Sequence, residues 1–360
     1  MKRINIWICL LLIFQFQFSF AQQTMQKEEK KAQTFTNPLL PSGPDPWNIY
    51  HNGYYYYMHT LGNRLDLWKT KDLSQLNNAQ RITIWTPPKE GMHSKEIWAP
   101  EIHFFDNKWY VYFAADDGNN KNHRLFVLEN TSPDPMQGTW ELKGKISDET
   151  DQWAIDGSVF EHKGSLYMIW SGWEETNPNR EVQEIYIARL KNPYTVESKR
   201  GKISSPVLPW ERYWNNSASW KPNNPVYVNE GPEILEHKDQ LFLIYSASGC
   251  WTNNYVLGML SAKDTSDLLD AASWTKYPEP VFQQSVKNKV YGTGHNSFFK
   301  SPDSTEDWIL YHANPAPDQG CGNHRSPRAQ KIAWKKDGTP FFGEPVAAGV
   351  SIRLPSNKKQ

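Results

Sequence analysis

Glu233-Ile-Leu-Glu-His-Lys-Asp-Gln-Leu-Phe-Leu-Ile-Tyr245 is an alternating strand, a Lys-Asp turn and a second, apolar strand, and near copies of it recur along the chain. The others are Trp47-Asn-Ile-Tyr-His-Asn-Gly-Tyr-Tyr-Tyr-Tyr57, Glu101-Ile-His-Phe-Phe-Asp-Asn-Lys-Trp-Tyr-Val-Tyr112, Ser158-Val-Phe-Glu-His-Lys-Gly-Ser-Leu-Tyr-Met-Ile-Trp170 and Ser297-Phe-Phe-Lys-Ser-Pro-Asp-Ser-Thr-Glu-Asp-Trp-Ile-Leu-Tyr311. Period-two alternation around a short polar turn is the pattern of a β-hairpin with one packed face. Intervals of roughly 55 to 75 residues leave room for about four strands per unit, and radial packing of four-stranded sheets protects their edges. The pattern predicts an all-β fold, a five-bladed β-propeller forming a single domain over residues 37–360. A β-sandwich or β-helix of similar composition is the competing reading, but a sandwich would not need a near-copy hairpin in each fifth of the chain.

Around this core the ends read differently. Lys2 and Arg3 precede an almost unbroken apolar run from Ile4 to Phe14, and Ser19-Phe20-Ala21 puts small residues where a signal peptidase reads. A signal peptide over 1–21 and a secreted or periplasmic protein are expected, followed by a polar, flexible leader over 22–36. The run is too short to span a membrane comfortably, and no other segment is long and apolar enough, so no membrane association is expected. Losing Lys2 and Arg3 leaves 37 basic against 39 acidic residues, a net charge of −2, which offers nucleic acid nothing. Two cysteines then remain, Cys250 and Cys321, each following the outgoing strand of its hairpin; a disulfide and two free thiols are both compatible with that placement. No metal-ligand spacing of Cys or His is present, Gly292-Thr-Gly294 lacks the third glycine and the βαβ setting of a dinucleotide loop, and there is no Gly-x-Ser-x-Gly elbow.

In a propeller the innermost strand of each blade lines the central channel, so residues just upstream of the repeated hairpins share one neighbourhood. That position gives Asp45 in Gly43-Pro-Asp-Pro46, Glu101 in Trp98-Ala-Pro-Glu101, Asp156 in Ile155-Asp-Gly-Ser158, Glu230 in Asn229-Glu-Gly-Pro232 and His295 in Gly294-His-Asn-Ser297. Asp45, Asp156, Glu230 and His295 precede their turns by seven or eight residues, whereas Glu101 lies closer to its own. An Asp beside Pro or Gly is also an ordinary turn or cap residue. Carboxylates converging in a low-dielectric channel repel, so one pKa rises while another group stays ionised, the division that acid and base roles in glycosidic cleavage require. Trp98 is the aromatic best placed to stack on a sugar ring; Trp47, Trp153 and Trp251 read as packing.

At these residues the chain resembles glycoside hydrolase family 43, five-bladed propellers acting on arabinose- and xylose-containing plant polysaccharides. The likeness runs from about Asn37 to about Gly349 and rests on Gly-Pro-Asp45-Pro, Ile-Trp98-Ala-Pro-Glu101, Ile-Asp156-Gly-Ser, Asn-Glu230-Gly-Pro-Glu and Gly-His295-Asn-Ser-Phe. The resemblance implies Asp45 as general base, Glu230 as general acid and Asp156 as the carboxylate that orients the acid and tunes its pKa. It further implies direct attack by water with inversion at the anomeric carbon, and a substrate-binding role for Trp98, Glu101, His295 and Arg328. The histidine matching His295 is often near a bound calcium or a water, so a structural Ca2+ in the channel is one expectation and a hydrogen-bonded core histidine the other; no cofactor is required. Arg328 suits either the sugar subsite or an ion pair closing the ring of blades.

Trp98-Ala-Pro-Glu101-Ile-His, Ser248-Gly-Cys250-Trp and Asn323-His-Arg-Ser-Pro-Arg-Ala-Gln330 resemble the exo-acting α-L-arabinofuranosidases of that family. The expected partner is a plant cell-wall arabinan or arabinoxylan fragment. The chain has no long extension after Gly349 of the kind many β-xylosidases of the family carry, which favours an arabinofuranosidase or arabinanase. Endo-arabinanase or β-xylosidase activity on the same frame, and a non-catalytic carbohydrate-binding propeller, are the alternatives; oligomeric state has no signature in the sequence.

Overall fold

A computed structural model describes residues 33–175, 181–214 and 225–357. The expected signal peptide over 1–21 and the leader as far as residue 32 lie outside the described residues. The described chain is built almost entirely of β-strands, with short 3-10 turns between some of them. None of its helices is long and apolar enough to cross a membrane.

The hairpins form as the alternation predicts. Asn52 and Gly53, Asp106 and Asn107, and Lys163 and Gly164 take the left-handed backbone that a two-residue turn between twisted strands demands. The first unit is a four-stranded sheet of Trp47–His51, Tyr54–Met58, Leu65–Thr70 and Gln80–Trp85, and the second repeats it with Lys95–Phe105, Lys108–Asp116, Arg124–Asn130 and Glu141–Ile146. The third comprises Ala154–His162, Ser165–Gly172 and Glu181–Asn192, the last paired with Thr195–Val196 and Gly201–Ser204. The fourth comprises Val226–His237, Gln240–Ala247, Val256–Lys263 and Thr275–Lys276. A short parallel pairing of residues 181–183 with 226–228 joins these two into one nine-stranded sheet. The fifth unit has three strands, Tyr291–Lys300, Asp307–Asn314 and Ser326–Lys331.

The missing edge of the fifth unit is covered by the chain's own beginning. Leu39 and Gly43 donate backbone N–H groups to Pro327 and Arg325 at 2.8 and 2.9 Å, and the Asn37 side chain brackets Ala329 with two hydrogen bonds. A covered edge cannot recruit another strand. Residues 34–36, expected within a flexible leader, instead form the strand Thr34–Thr36, paired with Ser351–Arg353. Phe35 fixes it: its ring is buried with its centroid 6.2 Å from that of Trp308, apolar area that the polar character of the leader obscured.

Five apolar clusters fill the spaces between units. They lie between the first and second, second and third, third and fourth, fourth and fifth, and fifth and first units. The first strands of the units touch in the same cyclic order, ending with Tyr291–Lys300 against Trp47–His51. Most of the aromatic residues are spent here: Trp153, stacked on Trp173 at 4.7 Å, and Trp47, whose Nε1 donates to the Ile102 carbonyl, are packing residues. A disulfide joins Cys250 to Cys321, tying the loop after Gln240–Ala247 to the loop after Asp307–Asn314.

Candidate active site

Four of the five first strands break their ladders beside the channel, whereas Trp47–His51 pairs without a break. The register shifts between Trp98 and Glu101, Ile155 and Ser158, Glu230 and Glu233, and Gly294 and Ser297. Within the shift one residue is left-handed: Ala99 (φ 43°), Asp156 (54°), Gly231 (52°) and His295 (48°), with Asp45 (56°) just before its strand. Four of these five carry a Cβ, a conformation that costs roughly 1–3 kcal/mol each and persists only where the surroundings enforce it. The bulges turn one short segment out of the sheet plane in the second to fifth units, and that aims Asp156 and Glu230.

Asp45 is held by cations and imidazoles. Arg325 Nη1 donates to Oδ1 at 2.9 Å, and the Nδ1 atoms of His295 and His312 lie 3.3 and 3.5 Å from the same oxygen. The backbone N–H of Asp45 donates to His312 Nδ1 at 3.1 Å, so that nitrogen is an acceptor and the ring is neutral. Burial opposes ionisation of Asp45, but the Arg325 guanidinium above all outweighs it and holds the carboxyl well below the usual carboxylate range.

Glu230 and Asp156 are in the opposite condition. Burial pushes Glu230 up to about 7; a hydrogen bond from the Tyr255 hydroxyl to Oε1 at 2.8 Å opposes that rise, the Asp45 charge adds to it and Arg325 opposes it. Asp156 is also pushed up, by burial and then by Glu230 and Asp45, while the N–H of Gly231, 3.0 Å from Oδ2, favours its ionised form. The two carboxyls repel each other and titrate as a pair.

Glu101 belongs to a different layer. The left-handed residue of its unit is Ala99, so Glu101 aligns with Ser158, Glu233 and Ser297, each two residues past the turned-out position. It bonds His103 Nε2 at 3.0 Å and shares a hydrogen bond with Glu233, which also accepts from the Ser158 hydroxyl at 3.2 Å. Trp98 is half-buried, stacks on His123 with centroids 4.1 Å apart, and is tied toward Asp45 by the following residue: Ala99 N–H donates to Thr60 Oγ1 at 2.7 Å, and Thr60 also bonds the Asp45 side chain.

The structure thus brings Asp45, Asp156, Glu230 and His295 together, sets Glu101 beneath them, and places Arg328 elsewhere. Arg328 is buried beside Tyr311, with Nη1 directed at the Val346 carbonyl at 3.5 Å, and the arginine on Asp45 is Arg325. Sequence reasoning passed over Arg325, His312, Tyr255, Thr60 and Glu233. Two of them carried a local signal: Glu233 ends the Asn229–Glu233 motif, and Arg325 shares the Asn323–Gln330 motif just before the strand Ser326–Lys331. At His295, Nδ1 faces Asp45 Oδ1 at 3.3 Å, an oxygen already paired with Arg325. Among the described residues no group of three or more His, Cys, Asp or Glu side chains is arranged to hold a metal.

Comparison with known proteins gives a consistent set of relatives. The family profile described as "Glycosyl hydrolases family 43" matches residues 35–340. An "Extracellular exo-alpha-(1->5)-L-arabinofuranosidase" of Streptomyces avermitilis is 40% identical over 327 residues, covering 88% of this chain and 65% of that protein, so the chain spans just under two thirds of its length. A protein of the same description from Streptomyces chartreusis is 35% identical over 283 residues, covering 78% of this chain and 82% of its own. Among solved structures, that of an α-L-arabinofuranosidase from Lactobacillus brevis superposes with a TM-score of 0.79 at 35% identity, over 88% of this chain and 98% of that one.

Proposed function

The chain belongs to glycosyl hydrolases family 43, and from that premise we propose that it is an exported, inverting exo-α-L-arabinofuranosidase that removes terminal arabinofuranosyl units from plant cell-wall arabinan or arabinoxylan fragments. The observation that carries this reading is the opposed state of two carboxyls in one ring: Asp45 is kept ionised beside Arg325, while Glu230 keeps its proton up to about 7. Asp45 takes a proton from the attacking water. Glu230 gives its proton to the leaving oxygen as the glycosidic C–O bond breaks and the water oxygen bonds the anomeric carbon from the opposite face. Asp156 orients Glu230 and raises its pKa, Trp98 and His295 border the sugar, and no cofactor enters the reaction.

The ring-like order of five apolar clusters and of the five first strands supports one five-bladed propeller as the frame. Differing channel residues from unit to unit suit a single catalytic site better than repeated sugar-binding sites. Export rests on the leader residues and on the relatives described as extracellular. The deciding measurement is a proton NMR time course with a linear α-1,5-linked arabino-oligosaccharide. Free β-arabinofuranose is expected as the first and only monosaccharide. Oligosaccharide products without monosaccharide would make the protein endo-acting, first appearance of the α-anomer would overturn inversion, and no hydrolysis would overturn the substrate assignment.

A further inference from the structure

Tyr255 lies just before the strand Val256–Lys263 and is 1% exposed. Its ring is held on two sides. On one, it stacks nearly parallel to His312, centroids 5.7 Å apart at 4°. On the other it lies against the backbone of Gly294, where any Cβ would overlap the ring. The second glycine of Gly292-Thr-Gly294 is therefore a close-approach residue, required so that an aromatic ring can lie flat on the first strand of the fifth unit.

The hydrogen bonds through Tyr255 run in one direction. The backbone N–H of His295 donates to Ser246 Oγ at 2.7 Å, and an N–H can only donate. Ser246 in turn bonds the Tyr255 oxygen, and Tyr255 donates to Glu230 Oε1 at 2.8 Å. Ser246 sits directly across the ladder from Glu230, so the short relay closes on one carboxyl. The phenol itself stays protonated, since burial and then the Glu230 charge push it well above its usual range.

We infer that Tyr255 is the positioning residue of the Glu230 acid: by occupying Oε1 as a donor it confines the transferable proton to Oε2 and stabilises the carboxylate left after transfer. This rests on Glu230 being the acid. The groups facing Glu230 are Asp45, which disfavours its ionised form, Arg325 and Tyr255, which favour it, and Asp156, whose own carboxyl the Glu230 charge pushes up. Removing the tyrosine hydroxyl therefore raises the Glu230 pKa.

The test is Tyr255→Phe, which keeps the ring between His312 and Gly294, with Ser246→Ala as a milder variant. A carbon-13 titration of the Glu230 carboxyl should move up by roughly one pH unit in Tyr255→Phe, the size expected for a lost hydrogen bond to a charged group. The alkaline limb of kcat/KM should move up with it, because Glu230 must be protonated to act. Turnover of an arabino-oligosaccharide should fall roughly ten-fold, while an aryl arabinofuranoside with a good leaving group should be nearly unaffected, since it needs little protonation. Ser246→Ala should shift the same titration in the same direction by less. An unmoved Glu230 titration with equal losses on both substrates would overturn the inference. Glu230→Ala separates the two ideas: if it loses equally on both substrates the acid assignment itself fails, and if the aryl substrate restores it while Tyr255→Phe leaves the titration unmoved, only the role of Tyr255 fails.

Discussion

Two layers of carboxylates line the first strands, two residues apart, and they behave differently. In the outer layer Asp45, Asp156 and His295 sit on left-handed backbone, Glu230 directly precedes left-handed Gly231, and their immediate partners are cations, a tyrosine and backbone N–H groups. In the deeper layer Glu101 and Glu233 follow the bulges, on regular ladder positions opposite Tyr112 and Ile244, and bond each other, His103 and Ser158. The deeper acids satisfy one another, which makes them part of the frame. In the outer layer Asp45 and Glu230 are kept in opposite protonation states, which is a condition for chemistry. Backbone strain marks the outer layer, the one we propose to react, as it does where a fold must over-determine a geometry.

The largest expected effect breaks the outer layer. Asp45→Asn and Glu230→Gln keep the shapes and remove the proposed base and the proposed acid, and each should lower turnover of an arabino-oligosaccharide by roughly 10²- to 10⁴-fold with the far-ultraviolet circular dichroism unchanged. A good aryl leaving group should restore much of the Glu230→Gln loss and little of the Asp45→Asn loss. If both variants respond alike to the leaving group, the division of roles within the outer layer is wrong.

A second test sharpens the contrast with two arginines three residues apart. Arg325→Met removes the cation that holds Asp45 down, so the Asp45 pKa rises, and the base is then protonated over more of the acidic range. The acid limb of kcat/KM should move to higher pH and activity near pH 5 should fall roughly ten-fold or more. Arg328→Met should leave both limbs in place. Arg328 is buried with its Nε unpartnered, and replacing such a charge by an apolar side chain of similar volume is often neutral for stability. A moved acid limb in Arg328→Met, measured on the same substrate series, would put it in the outer layer after all.

The hairpins were legible because period-two alternation survives any packing detail, and each turn is named by its own residues. The layers were legible only as an offset: Glu101 lies nearer its turn than Asp156 and His295 do, because the left-handed position of its unit is taken by Ala99. Pro100 and Gly231 hint at the irregularity without saying where it falls. Arg325 and Arg328 share one motif, and which of them reaches Asp45 depends on the strand beginning at Ser326. Tyr255 and His312 have no local signature at all, because their roles come from stacking between the fourth and fifth units. Disulfide pairing of Cys250 and Cys321 likewise needed distance, here 5.3 Å between Cα atoms.

The smallest expected effect probes the deeper layer through stability. Burial and then the Glu101 charge push the Glu233 carboxyl well above its ordinary value of 4.5, so the folded state favours the protonated form. Its contribution is fully present below the unfolded pKa and is lost as pH rises from there through the folded pKa, since the native state must then either keep a proton the unfolded chain has released or hold two charges together. Melting temperature should decline across that alkaline-going window in the parent protein. Glu233→Gln replaces the titrating group with a neutral amide able to bond Glu101 and Ser158, and should flatten the decline, giving a melting temperature a few degrees above the parent at pH 8, on the scale of about 1.4 kcal/mol per pH unit of displaced pKa. Turnover should stay within about two-fold, because no proton passes through this layer. Melting curves at pH 5, 6.5 and 8 decide it: parallel declines in the two proteins would mean that Glu233 shares no proton with Glu101, and a hundred-fold loss of turnover would move the deeper pair into the chemistry and erase the distinction between the layers.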